Sequence, residues 1–191
     1  MKREQQVSVA REATFQFYEK PITNTASITT MSLLDVRDYI ISERAREATL
    51  ALRALTTQAE QRAYKGRHFD YCLFSGIFSS RSDAGLQQHS GLICLDFDHL
   101  GSMLLPLRTR LFRDPYFETM LLFTSPSSDG LKWVISIDLS LCSHATWFKA
   151  LAAYLKMEYG VKPDEQCRNV SRACFLPYDP MCYICPDLLT R

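Results

Sequence analysis

The segment Leu92-Ile-Cys-Leu-Asp-Phe-Asp-His99 sets two carboxylates two residues apart at the end of an apolar run. On a strand, alternate residues share a face. Ile93, Leu95 and Phe97 then enter a core, while Asp96 and Asp98 project together from the other side. Two such carboxylates repel unless a cation lies between them, and Mg²⁺ or Mn²⁺ is held by one or two carboxylates together with substrate phosphates. The competing reading is a strand that reaches solvent with acidic residues at its polar end. A second segment, Thr124-Ser-Pro-Ser-Ser-Asp-Gly-Leu-Lys132, is a small hydroxyl-rich turn running into an apolar strand. Free backbone N–H groups, serine hydroxyls and the Lys132 ammonium suit phosphate oxygens, although Ser, Pro, Asp and Gly also make an ordinary hairpin turn. The third is Lys162-Pro-Asp164 with Arg168 and Arg172 beyond it. An aspartate followed by arginines can complete a metal site and clamp a triphosphate, because guanidinium binds phosphate oxygens bidentately. Salt-bridged arginines on a surface loop would look the same.

The elements that must carry these residues follow from period and punctuation. A weak alternation near Thr14 to Glu19 predicts one strand. Ser32 with Asp35 three residues on is a capping box that opens a helix through Ile40. A second helical stretch is expected from about Glu43 to Tyr64, with Ala45, Ala48, Leu52 and Leu55 on one face. The texture changes at Lys65-Gly66. Tyr71 to Phe78 reads as a strand, 79–90 as a polar loop and Gly91 to Asp98 as a second strand. A helix over Ser102 to Phe112 places Pro106 in its first turn or at a kink. Phe117 to Thr124 and Leu131 to Asp138 form a hairpin around Asp129-Gly130, since both residue types tolerate positive φ. Ser143 caps a last helix that Gly160 and Pro163 end. A short strand near Ala173 to Leu176 and a Pro-rich tail complete the chain. Helices between hairpin-like strands predict an α+β domain with helices on one side of a largely antiparallel sheet. Residues 1–64 are read as the N-terminal strand and helices of the domain whose core is 65–191.

The net charge of +1 places any nucleic-acid surface in a local patch, because proteins that wrap long duplexes carry more excess positive charge. No apolar run is long enough for a membrane span and no secretory signal opens the chain, so a cytoplasmic location is expected. Seven cysteines, several in apolar settings (Cys72, Cys94, Cys142, Cys174), read as free buried thiols. Cys167, Cys174, Cys182 and Cys185 end in C-x-x-C, but zinc sites favour two tight pairs, and the first two here are seven residues apart. His99 beside the paired aspartates reads as a ligand, a partner to one, or a loop residue.

The order of D-x-D, Ser/Gly hairpin with a basic residue, then Asp and Arg before a strand resembles the archaeo-eukaryotic primase superfamily. Within it, Ser90 to Leu100, Ser125 to Ile135, Val170 to Pro177 and Ser75-Gly-Ile-Phe-Ser79 are similar to the VirE N-terminal domain family over about Lys65 to Pro180. The resemblance implies an RRM-like primase-polymerase core with Asp96 and Asp98 on a central strand. Asp164 would join them in holding two divalent ions, Mg²⁺ or Mn²⁺. Ser125, Lys132 and Arg172 would face the phosphates of a nucleoside triphosphate. It further implies metal-dependent nucleotidyl transfer on single-stranded DNA or a primer-template in a replication or mobile-element protein, with a helicase module in the full-length chain or a partner. Active members carry histidine at the place of Lys132. A non-polymerising nucleotide or single-strand binding module is therefore the alternative. Asp96-Phe-Asp98 also fits the opening of haloacid-dehalogenase-type phosphatases, which expect a parallel sheet and a later acidic pair.

Overall fold

Short runs of alternating large apolar residues, broken by Gly, Ser and Asp, build strands that are paired antiparallel at every ladder among the described residues. The computed structural model describes residues 1–27 and 29–190. The class is α+β, as expected. A first sheet contains β1 (Phe15–Tyr18), β2 (Thr29–Met31), β3 (Tyr71–Leu73) and β9 (Cys174–Phe175), in the order β2-β1-β3-β9. A second contains β6 (Leu92–Phe97), β7 (Leu121–Thr124), β8 (Leu131–Ser136) and β10 (Tyr183–Ile184), in the order β10-β7-β8-β6. Between them in sequence, β4 (Gly76–Phe78) and β5 (Leu86–His89) make a two-stranded ribbon.

The second sheet is buried on both faces, which is why its strands are mostly apolar, with Asp96 and Lys132 as the charged exceptions. Ile93, Leu95 and Phe97 of β6 pack with Trp133 and Ile135 of β8 against α5 (Leu104–Phe112) and α6 (His144–Tyr159). Leu92, Val134, Leu121 and Phe123 meet Phe15 and Phe17 of the first sheet, together with α1 (Arg3–Glu12) and α2 (Leu33–Ile41). Each such fully buried large side chain contributes about 1.5–3 kcal/mol. Trp133, wholly buried, donates its indole N–H to Thr119 Oγ1 at 2.7 Å, so no polar atom of the ring is stranded.

Several elements differ from the sequence reading. The helix expected from Glu43 to Tyr64 is two helices, α3 (Arg46–Arg53) and α4 (Gln58–His68), after a 3-10 turn over Glu43–Ala45. The break comes where Thr57 becomes an N-cap, its hydroxyl accepting from Glu60 N–H in a capping box. Tyr71 to Phe78 is not one strand. The chain turns at Phe74-Ser75 and enters a different sheet at Gly76, which has φ 147° and where a Cβ would lie 2.0 Å from Gln88 O. That close approach lets β5 form inside the segment read as loop. Helix α1 and strand β10 carried too little apolar periodicity to be foreseen. The N-caps at Ser32 and Ser143 and the αL C-cap at Gly160 (φ 71°) stand as expected.

Strand β6 is an edge strand, not the central one expected. Apolar residues on both faces suggest a central strand, but they report what covers the faces rather than what lies alongside. The free edge of β6 is partly covered by a 3-10 turn, Glu165–Arg168, which begins where Asp164 N–H donates to Asp96 O at 2.8 Å.

Candidate functional site

Register and the turn at the end of β6 place the acidic groups. Asp96 lies on the face shared with Leu92 and Cys94 and is buried, whereas Asp98 follows the last strand residue and is exposed. The hairpin loop between β7 and β8 folds back over this end. Gly130 sits so close that a Cβ there would lie 2.2 Å from Phe97 O. Asp129 then accepts Leu100 N–H at its backbone oxygen (2.9 Å) and Gly101 N–H at Oδ1 (3.1 Å), while His99, at φ 56°, lies 3.1 Å from Asp129 Oδ2. The chain is thereby turned sharply beyond Asp98. Asp164 arrives from the far end of the sequence, and one carboxylate oxygen from each of Asp96, Asp98 and Asp164 lies within 4.8 Å of the others.

Lys132 is directly opposite Asp96 in the β6–β8 ladder, so its ammonium meets Asp96 Oδ2 on the same face. Neither end of this pair is solvated: both side chains are 10% exposed. Lys132 is thus not a solvated strand residue. Burial opposes the charge on Lys132, but the Asp96 carboxylate outweighs it and holds the ammonium well above the ordinary lysine range. Burial raises the pKa of Asp96, Lys132 pulls it back, and the neighbouring Asp98 adds to the rise. Asp96 Oδ1 is buried with no hydrogen-bond partner among the described residues. Burying an unpartnered carboxylate oxygen is costly, and a divalent ion also held by Asp98 and Asp164 would satisfy it. The donor set fits Mg²⁺ or Mn²⁺, which are ligated by hard oxygens.

Arg172 does not stand free over this cluster. Its guanidinium binds Asp164 Oδ2 at 2.7 Å and Gln166 Oε1 at 2.5 Å, with its side chain 37% exposed. Two histidines anchor the turn that carries Asp164. His89 Nδ1 accepts from Gly91 N–H (2.9 Å), His89 Nε2 lies 3.1 Å from His144 Nδ1, and His144 Nε2 lies 3.0 Å from Cys167 O. One proton per ring satisfies this chain, with each Nε2–H donating onward. Burial pushes the His89 pKa down to about 4, helped by His144, and lowers His144 as well.

The cluster opens onto a cleft of about 780 Å³, within the range of small-molecule sites. Ser125 and Ser127 line one side, their hydroxyls 3.5 Å apart. The lining also includes α4, whose Gln58, Gln61, Arg62 and Lys65 follow the i, i+3, i+4, i+7 spacing of a single helix face. That face normally carries apolar residues; here it presents amides and cations, and no residue of α4 is fully buried. Arg81 adds another cation. Lys65 makes no ion pair among the described residues, and burial, then repulsion from Lys132 and Arg172, lowers its pKa. The sequence reading missed α4 as a cleft wall. Its one visible signal was a helix with cations and amides where an apolar stripe belongs.

The structure therefore sets Asp96, Asp98, Ser125, Lys132 and Arg172 on the lining of one cleft and brings an Asp164 carboxylate oxygen to the two other aspartates, but it ties both cations to carboxylates. Lys65, Arg62 and Arg81 join the lining with no acidic partner among the described residues, Arg81 donating to Ile22 O and Tyr71 OH. A haloacid-dehalogenase-type arrangement is not supported, since that class needs a parallel sheet and every ladder among the described residues is antiparallel. The family model described as "BT4734-like, N-terminal domain" matches residues 65–184. The chain belongs to the BT4734-like N-terminal domain family. This corrects the resemblance to the VirE N-terminal domain and the archaeo-eukaryotic primase superfamily. Short D-x-D, Ser/Gly-turn and Asp…Arg signals recur wherever acidic and phosphate-binding groups are set on strands, and only the match along the whole span separates families. The BT4734-like span starts at Lys65 and contains all six candidate residues together with Arg81; Gln58, Gln61 and Arg62 precede it. The search of curated proteins and the search of solved structures each return no match.

Proposed function

We propose that this BT4734-like domain performs metal-dependent nucleotidyl transfer on single-stranded DNA: a 3′-hydroxyl attacks the α-phosphorus of a nucleoside triphosphate, the bond to the β-phosphate breaks, and pyrophosphate leaves. The observation that supports this most is that Asp96, whose buried Oδ1 has no hydrogen-bond partner among the described residues, offers a carboxylate oxygen within 4.8 Å of one from Asp98 and one from Asp164, at a cleft also lined by Arg62, Lys65 and Arg81. Asp96, Asp98 and Asp164 would hold Mg²⁺ or Mn²⁺. Such an ion neutralises charge on the transferring phosphate and favours the ionised attacking hydroxyl. Lys132 keeps Asp96 ionised and aimed. Arg172 fixes the orientation of Asp164. Lys65, Arg62 and Arg81 offer the guanidinium and ammonium groups that phosphate oxygens require, and Ser125 and Ser127 supply hydroxyl donors.

A second reading is a nucleotide or single-strand binding module that does not turn over. The Lys132–Asp96 pair favours it, because an ammonium already neutralises the carboxylate an ion would use. Incorporation of labelled nucleotide on a primed single strand with Mn²⁺ separates the two. Transfer is expected with the wild type and not with Asp96→Asn. Nucleotide binding with no incorporation selects the binding module, and absence of both Mn²⁺ and nucleotide binding overturns both readings.

A further inference from the structure

Eighty residues apart in sequence, Cys94 and Cys174 meet where the two four-stranded sheets face one another. Cys94 is on β6, on the same face as Asp96 two residues later; Cys174 opens β9, two residues after Arg172. Their sulfurs are 3.9 Å apart, with the Cys94 thiol directed at Cys174. Both are free thiols. They line a cavity of about 20 Å³ together with Asp96, Lys132 and Arg172, which also line the main cleft. A cavity of that size accommodates roughly one water-sized molecule. The cavity thus borders the cleft through these shared residues, the side from which a small polar oxidant would approach the sulfurs. The C-x-x-C pair that draws attention in the sequence, Cys182 and Cys185, lies elsewhere, in the core beside α2 and β7.

We propose that Cys94 and Cys174 form a peroxide-sensitive dithiol that closes to a disulfide between the two sheets. The Cys174 sulfur attacks one peroxide oxygen, the O–O bond breaks, and the departing oxygen leaves as water, giving a sulfenic acid. The Cys94 sulfur then attacks Cys174 sulfur, the S–O bond breaks, and the hydroxyl leaves with the Cys94 proton as a second water. Two thiols are oxidised and one peroxide is reduced to two waters. A disulfide holds its sulfurs about 2.05 Å apart, so closure draws β6 and β9 together beneath Asp96 and Arg172 and occupies the cavity. A thiol reductant reverses the reaction. The proposal does not depend on the nucleotidyl-transfer reading.

The test is to treat the full chain with peroxide, alkylate the remaining thiols in denaturant, and map the unreduced digest by mass spectrometry. A Cys94–Cys174 cross-linked peptide is expected, lighter by two hydrogen atoms, with two of the seven thiols lost to alkylation and restored by dithiothreitol. Cys94→Ser is expected to remove the cross-link and leave a sulfenic acid on Cys174 that dimedone traps. Full alkylation of Cys94 and Cys174 after peroxide treatment, or a disulfide located at Cys182–Cys185 instead, overturns the proposal. The wild-type map decides the matter even where the serine variant folds poorly.

Discussion

Two ion pairs of the same charge types build this site in opposite surroundings. Lys132 and Asp96 face each other across paired strands, each side chain 10% exposed; Arg172 and Asp164 sit on a turn and the loop after it, at 37% and 24%. The position of the first pair is set by ladder hydrogen bonds and close packing, so it cannot relax. The second lies on a short loop tethered by the Asp164 N–H bond to Asp96 O, by the two-histidine chain behind Cys167 and by Ser171, whose N–H and hydroxyl donate to Asp83 Oδ1. One pair acts as a fixed point and the other as an adjustable arm. Buried pairs are expensive to break because the survivor is left charged without water, whereas exposed pairs contribute about 0–1 kcal/mol.

That contrast orders the expected effects of substitution. Lys132→Met is expected to cost about 3–5 kcal/mol, the range for removing one partner of a buried pair, measured by urea unfolding near neutral pH. The cost shrinks as pH falls through the raised pKa of Asp96, which then takes up a proton. Asp96→Asn combined with Lys132→Met should recover much of the loss; a double variant as unstable as the single one would break the comparison. Next is the histidine chain. His89 is driven down to about 4 in the fold, so its contribution is fully present above its ordinary value of about 6.5 and is lost as pH falls through 4. A loss on the order of 2 kcal/mol, discounted for the part-exposed ring, is expected over that window. His89→Gln should flatten this part of the stability profile.

The arm is expected to matter more for binding than for folding. Arg172→Gln should change stability by less than about 1 kcal/mol yet weaken nucleoside triphosphate binding roughly tenfold, equivalent to about 1.4 kcal/mol. Lys65→Met should leave stability within about 0.5 kcal/mol, as at other surface positions, or raise it slightly, since a partly desolvated cation is removed. Titration with a fluorescent nucleotide is expected to show an affinity loss of similar size to that of Arg172→Gln. An unchanged affinity would return α4 to a purely structural role.

Much of the scaffold was legible because local rules act within a few residues. The Ser32–Asp35 box, the Asp129-Gly130 turn and the alternation of Ile93, Leu95 and Phe97 against Asp96 each depend on near neighbours. What escaped reading depends on partners far along the chain. The pairing of Lys132 with Asp96 is a consequence of register, and the edge position of β6 follows from what does not lie beside it. Cys94 and Cys174 meet only because two sheets stack. Helix α4 merged with its predecessor because Gln58, Gln61, Arg62 and Lys65 give no apolar stripe to mark where one helix stops. Family membership was misread for a related reason: three short motifs in order specify a kind of chemistry more firmly than a lineage.

The central claim is that Asp96, Asp98 and Asp164 form a divalent-ion site around the unpartnered Asp96 Oδ1. Calorimetric titration with Mn²⁺ of the wild type, Asp96→Asn and Asp98→Asn tests it most directly, with circular dichroism confirming that each variant is folded. Asp98 is exposed, so its variant should keep wild-type stability while losing at least tenfold in Mn²⁺ affinity, and Asp96→Asn should abolish binding. Mn²⁺ affinity that is the same in all three proteins would contradict the account.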